Sequence, residues 1–212
     1  MLQLEVPGEG SKVLLHSCCA PCSGAVLECL VANGIEPVVF FSNSNIVPRE
    51  EYDLRLSELS RYCSSLHVPL VADEYNHGAW LDAVLERNEG ADARRQAELA
   101  AATERSSRCL NCFKFRLKRA ACFAAQNGIP VLATTLASSR WKSLEQVAEA
   151  GAWACEMSQS AALTDGSAAP GVIFWDRNWR KGGLQERRSQ IICEQGFYNQ
   201  NWCGCEFSHK QL

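Results

Sequence analysis

Three groups of cysteine dominate the chemistry available to this chain. The first is His16-Ser-Cys-Cys-Ala-Pro-Cys22, where an apolar run ends and three thiols crowd the turn before a helix. The second is Cys109-Leu-Asn-Cys112, and the third is Cys203-Gly-Cys205. Together they hold seven of the 12 cysteines. Clustered thiolates bind soft metals or iron–sulfur clusters, or they exchange electrons as disulfides.

Spacing narrows these choices. Cys19-Ala-Pro-Cys22 alone suits a dithiol redox site, because a helix N-terminus stabilises a thiolate. The neighbouring Cys18 adds a third thiol and points to ligation. Cys109 and Cys112 open a helix and bring two sulfurs to one centre. With Cys19 and Cys22 they would make a four-thiolate zinc site. However, 87 residues separate Cys22 from Cys109, far more than in a compact zinc ribbon. A four-iron cluster fits better, because its irons are separate ligation points and adjacent Cys18 and Cys19 can each bind a different one. Zinc stays open as the alternative. Cys203-Gly-Cys205 permits a short strained disulfide loop, of the easily reduced kind, or metal ligation by either sulfur. Cys29, Cys63, Cys122, Cys155 and Cys193 stand alone and read as core filler.

Other polar residues divide evenly between two uses. His16 either orients a ligand or packs at a strand end. Asn43, Asn45 and Tyr52 either hydrogen-bond a polar substrate or cap the local chain. Basic residues gather twice. Arg108, Lys114, Arg116, Lys118 and Arg119 surround the second cysteine pair. Arg177, Arg180, Lys181, Arg187 and Arg188 precede the third group, interleaved with Trp175, Trp179, Tyr198 and Trp202. Cations with aromatics suit RNA, through phosphate contact and base stacking; an ordinary solvated face is the plain alternative.

These residues need a scaffold. Strands are expected over 12–17, 37–42, 68–72, 130–136 and 172–175. Helices are expected over 20–33, from Pro48 onward, and over 80–86, 92–104, 109–127, 143–150 and 184–195. Alternation of strand and helix predicts an α/β fold, a parallel sheet with helices on both faces. Ligands collect in such sheets where strands end and helices begin, which is where Cys18, Cys19 and Cys22 lie. The 212 residues read as a single α/β domain, 1–212. Residues 91–106 and 158–171 read as insertions or mobile loops.

Bulk composition excludes several classes. A net charge of −3 gives no global attraction to nucleic acid. No stretch approaches the roughly 20 apolar residues of a membrane span. Met1–Gly10 lacks a basic segment followed by an apolar run, which predicts no signal peptide and a cytoplasmic protein with reduced thiols.

Taken together, these stretches resemble the epoxyqueuosine reductase family QueH. The match runs in order through His16–Cys22, Phe40–Pro48 with Glu51, Tyr52 and Arg55, Arg108–Cys112, Thr134–Ser138 with Lys142, and Tyr198–Ser208. The resemblance implies reduction of the epoxide of epoxyqueuosine to the alkene of queuosine, at the wobble position of tRNA. It implies iron–sulfur chemistry without cobalamin. It makes Cys18, Cys19, Cys109 and Cys112 the ligands of a 4Fe-4S cluster, and Cys203 with Cys205 a redox-active disulfide pair. It allows a second, mononuclear metal (iron) beside the cluster, with Cys22 as a candidate ligand or site thiol. The aspartate that many relatives carry is replaced here by Asn178, with Asp176 a weak substitute. His16, Asn43, Asn45, Tyr52, Arg108, Lys142 and Arg180 are the candidate substrate contacts. The partners implied are tRNA bearing epoxyqueuosine and an unidentified electron donor, with no membrane. The fold resembles the Rossmann-like group that includes the PP-loop ATPases, with the cysteine turn where those proteins carry a Gly-rich phosphate loop. The residues alone leave two rivals, a thioredoxin-like dithiol oxidoreductase and a zinc-stabilised RNA-binding module.

Overall fold

The computed structural model describes residues 2–8, 10–164 and 171–208. Five strands form one sheet: β1 (Lys12–His16), β2 (Glu36–Phe41), β3 (Leu70–Ala72), β4 (Val131–Thr134) and β5 (Ile173–Phe174). Their order is β3-β2-β1-β4-β5, and every neighbouring pair is parallel. β1 is central, and its Val13, Leu14 and Leu15 are fully buried, as a strand covered on both faces requires.

The helices are α1 (Ala20–Ala32), α2 (Arg49–Ser65), α3 (His77–Val84), α4 (Ala93–Ala101), α5 (Ser107–Gln126), α6 (Leu144–Thr164) and α7 (Leu184–Gln195). α1 packs with α2 and α7, and α5 packs with α3, α4 and α6. Right-handed crossovers in a sheet that winds outward from β1 in both directions put these two groups on opposite faces. The strand order reverses between β1 and β4. A crevice therefore opens at the carboxyl ends of those two strands, and the cysteine turn sits there.

Local chemistry explains the boundaries. Pro21 lies in the first turn of α1, where its missing N–H leaves no hydrogen bond unmade. Asn33-Gly34 ends that helix, with Gly34 at φ +71°. Asp92 caps α4 by accepting the Arg95 N–H at 2.8 Å, and Leu99 anchors this otherwise exposed helix. Residues 91–106 thus hold a real helix.

Two expectations need correction. The helix expected over 143–150 instead runs to Thr164. Gly151 does not stop it. A β-carbon there would lie 2.2 Å from the Phe174 ring, so the glycine lets β5 approach α6. The stretch 158–171, expected as a mobile loop, is therefore helical through Thr164, and residues 165–170 lie outside the described residues. Core filling by lone cysteines holds for Cys29, Cys63 and Cys155, which are buried. It fails for Cys193, which is exposed, and Cys122 is only half-buried.

Candidate metal and redox centre

β1 delivers His16 to the crevice edge, and the next residues turn into α1. Cys19 is the extended N-cap residue of α1, and its sulfur makes no capping bond to the helix. The cap sulfur is thus free for other partners. The Sγ atoms of Cys18, Cys19 and Cys22 lie within 4.8 Å of one another, with Cys18 and Cys19 at 3.7 Å. The 3₁₀ turn Thr135–Ser138 after β4 forms the opposite wall. Thr135 Oγ1 accepts the Cys18 N–H at 3.4 Å, and the Ser138 hydroxyl donates to the Cys22 carbonyl at 3.0 Å. Among the described residues, no carboxylate or imidazole joins this thiol group.

Two further cysteines come from the first two turns of α5. Cys112 is buried, and the Trp80 indole N–H donates to its sulfur at 3.3 Å. Burial pushes both the Cys109 and Cys112 thiols up. The third cysteine group reaches the same place from the far end of the chain. Cys203 lies within electrostatic reach of Cys18, Cys109 and Cys112. The Gly204 carbonyl accepts the Val47 N–H at 2.9 Å, and Arg55 donates to the Cys203 carbonyl at 3.1 Å. His77 contacts Glu206 at 3.1 Å, and Phe207 lies under the Arg108 guanidinium. All twelve cysteines are free thiols in this structure.

The charges around these sulfurs are unusual. Arg116 is almost fully buried, donates to the Ser42 carbonyl at 3.1 Å and to Asn43 Oδ1, and has no carboxylate partner among the described residues. A buried cation needs a compensating charge. Cys18 and Cys203 are the sulfurs that can supply it, since both face Arg116 and both are held well below their ordinary range, while Cys112, which also faces Arg116, is raised by burial. Lys142 stands among Cys203, Cys18 and Cys22; burial pushes its ammonium down, and those three sulfurs more than reverse this. Hydrogen bonds from Cys19 and then Cys22 hold the Cys18 thiol well below its ordinary range. A hydrogen bond from Cys205, aided by Lys142 and Arg116, does the same for Cys203. The partners move the other way. Burial raises Cys19, hydrogen bonding to Cys18 pushes Cys22 up to about 11, and hydrogen bonding to Cys203 raises Cys205. The first and third groups therefore each set one lowered thiol, Cys18 or Cys203, against raised partners beside Lys142 and Arg116. Deprotonated sulfur in a positive setting is what a soft metal or an iron–sulfur cluster takes as ligands.

The other expected site residues fall into place differently. His16 contacts Thr134 Oγ1 through Nδ1 at 2.8 Å and the Ser42 carbonyl through Nε2 at 3.2 Å. A carbonyl only accepts, so Nε2 carries the proton and both nitrogens are engaged internally. Burial and the Arg116 charge lower its pKa to about 3, so the ring is neutral. Asn43 bridges the Ser17 carbonyl and Arg116. Asn45 Oδ1 is buried without a partner among the described residues. Tyr52 packs between Phe41 and Tyr75. Arg108 donates to the carbonyls of Leu99 and Ala100, both at 2.8 Å. Arg180 donates to the carbonyls of Ser139 and Lys142. Asn178 accepts the Arg180 N–H at 3.0 Å, and Asp176 is exposed. The Trp175 and Trp179 rings meet edge to face in the core, so neither is open to a base. Arg187 pairs with Glu28 and Glu194, and Arg119 with Asp73.

Sequence reasoning missed Trp80 as a site residue; it placed Arg116 only among cations that suit RNA, and Arg55 and Thr135 only within the stretches that carry the resemblance. A signal existed for Arg116, which follows Cys112 by four residues and so shares its helix face. No local signal marks Trp80 or Arg55, because their partners are distant in sequence.

The fold and site define a Rossmann-like α/β protein whose switch-point crevice is walled by thiols and flanked by buried Arg116 and half-buried Lys142. The family model described as Epoxyqueuosine reductase QueH matches residues 13–211, and the chain belongs to that family. It is 37% identical over 206 residues to the protein of that name from Histophilus somni, covering 97% of this chain and 75% of the relative. The protein of that name from Acinetobacter baylyi is 37% identical over 207 residues, covering 98% of this chain and 84% of the relative. The one from Thermotoga maritima is 30% identical over 199 residues, covering 92% and 89%.

Proposed function

We propose that this chain reduces epoxyqueuosine to queuosine in tRNA, as one α/β domain over residues 1–212, without cobalamin and in the cytoplasm. No helix among the described residues is long and apolar enough to cross a membrane. The observation that carries the reading is the approach of three cysteine groups to buried Arg116 and half-buried Lys142, neither with a carboxylate partner among the described residues, in a chain of this family.

The donor set suits an iron–sulfur cluster. Cys18 and Cys19, with Cys109 and Cys112, would hold it, and their sulfurs are offered from two helix N-termini under Arg116 and Lys142. A thiolate-bound cluster supplies electrons singly, and an accessible metal polarises an oxygen. Cys22 is the candidate thiol for a further metal, and no carboxylate stands beside it among the described residues.

Opening the epoxide to the alkene takes two electrons and two protons and releases water. The Cys203 thiolate and the Cys205 thiol can supply both electrons and one of the protons, since forming one S–S bond from a thiolate and a thiol releases two electrons and one proton. Cys205 Sγ holds its proton and directs it to Ser208 Oγ at 3.3 Å. Lys142 Nζ holds a second proton between the two cysteine groups and is placed to donate it to a departing oxygen. An electron donor, still to be identified, must then reduce the disulfide.

Anaerobic purification with iron, sulfide and zinc analysis tests this reading, together with nucleoside analysis of tRNA carrying epoxyqueuosine. Iron with sulfide and loss of the epoxide are expected. Cys109→Ala should lose both, and Cys203→Ser should keep the iron and lose turnover. One tight zinc without iron would favour an RNA-binding module. Colourless protein that reduces insulin would favour a dithiol oxidoreductase.

A further inference from the structure

We propose that the loop Ser139–Ser143, with Trp141 at its tip, is the platform on which an RNA strand docks beside the cysteine centre. This rests on the proposed function, and it relocates the RNA-binding surface away from Trp175 and Trp179, which are buried.

Trp141 is 60% exposed, the most exposed large hydrophobic residue among those described. A lone exposed side chain means little. This one lies in an unusual electrostatic setting. The Arg140 guanidinium sits 5.2 Å from its ring centroid. Arg105 donates to the carbonyls of Trp141 and Arg140, at 3.1 and 3.2 Å. Arg180 donates to the carbonyls of Lys142, at 2.7 Å, and Ser139. Two arginines thus grip the loop backbone from either side. None of Arg105, Arg140, Lys142 and Arg180 belongs to an ion pair among the described residues. Among the other basic residues, Lys114, Arg119 and Arg187 have carboxylate partners, while Lys118 and Arg177 lie against tryptophan rings. In a chain of net charge −3, Arg105, Arg140 and Arg180, none with a carboxylate partner and all around one open indole, call for an anionic partner with flat faces. A nucleic acid strand has both, phosphates for the arginines and a base for the ring.

The loop is also continuous with the site. It follows directly from the 3₁₀ turn whose Ser138 holds the Cys22 carbonyl, and it leads into Lys142 among the thiolates. Arg105 adds a second link, because its backbone N–H faces the Cys109 sulfur. Its φ of +65° is unusual for a residue with a side chain. Gln146 fixes it, donating to the Arg105 carbonyl at 3.0 Å. A base stacked on Trp141 would belong to a nucleotide next to the one at the cysteines. Holding the RNA with its target base unstacked is what single-strand recognition requires.

The test is binding of a fluorescently labelled anticodon stem-loop RNA, without the modified base, to the anaerobically purified full chain. Trp141→Ala should weaken binding roughly 5- to 150-fold, the range for loss of one stacked base. Trp141→Phe should restore most of it. Arg140→Ala should lower the slope of log affinity against log salt by about 0.7, one phosphate contact on a single strand. Arg94→Ala, a cation on the exposed face of α4, should leave affinity and slope unchanged. Wild-type affinity in Trp141→Ala would overturn the proposal, as would equal losses in Arg140→Ala and Arg94→Ala. Because the readout is binding, it separates from the reaction. RNA binding that depends on Trp141 without turnover would reject the proposed reaction and keep the platform. Turnover with Trp141-independent binding would do the reverse.

Discussion

Gly204 tests whether the Cys203–Cys205 segment works because it is docked. Its φ is +102°, and a β-carbon there would lie 3.0 Å from Ile46 Cγ1 and 3.1 Å from Arg55 Nη1. Arg55 has little room to retreat, since it also holds the Cys203 carbonyl and pairs with Glu51. Gly204→Ala combines backbone strain of about 1–3 kcal/mol with crowding of similar size. The lower part of that range, about 3 kcal/mol in total, shifts an equilibrium roughly 150-fold. The strain falls on the segment's docking. Its anchors include the bond from Val47, the bond from Arg55, the His77–Glu206 contact and Phe207 packed by Arg108 and Trp80, and it adds no strand to the sheet. The assay is native-state alkylation of Cys203 and Cys205, followed by mass spectrometry of that peptide. Both thiols should react on the order of 100-fold faster in Gly204→Ala, with little change in the global unfolding midpoint. Gly90→Ala is the control, strained at φ +80° but with open space around it, and should leave this labelling unchanged. Wild-type labelling in Gly204→Ala would refute the docked arrangement.

Three more outcomes are expected. Trp80→Phe removes the N–H donated to Cys112 at 3.3 Å, and should make the reduction midpoint of a bound cluster more negative, as read by potentiometric titration. Asp73 is buried, which alone would raise its pKa, but Arg119 and Ser42 hold it below the ordinary carboxylate range. A depressed carboxylate contributes stability above its unfolded pKa and loses it as pH falls through the folded value. Thermal melts should therefore show wild type losing its advantage over Asp73→Asn as pH drops below about 4. Gly151→Ala drives a methyl into the Phe174 ring and should destabilise by about 1–3 kcal/mol in denaturant titrations, with partial recovery in Gly151→Ala/Phe174→Leu.

Much of the fold was legible because its signals are local. The apolar run Val13–Leu15 marks a strand covered on both faces, and Asn33-Gly34 and Asn127-Gly128 mark helix ends. Gly151 was not legible. Its purpose is the approach of a ring 23 residues further on, which no local pattern records. The candidate site divides in the same way. Cys-Cys-Ala-Pro-Cys at a strand-to-helix turn announces itself, because ligands that converge from a single turn must be close in sequence. The orphaned Asn45 Oδ1 is visible only once its surroundings are built.

The sequence by itself determined which atoms can do chemistry here: seven cysteines in three short groups, two of them opening helices, within alternating strands and helices. Tertiary structure alone decided which charges face them. Arg116 and Arg119 lie three residues apart on one helix, yet Arg119 pairs with Asp73 at its rim while Arg116 is buried without a carboxylate. The same holds for the tryptophans, of which Trp175 and Trp179 lie in the core and Trp141 stands in solvent. Residue type sets what a side chain can bind. Burial and long-range neighbours set whether it is charged, compensated and reachable, and those depend on packing between segments far apart in the chain.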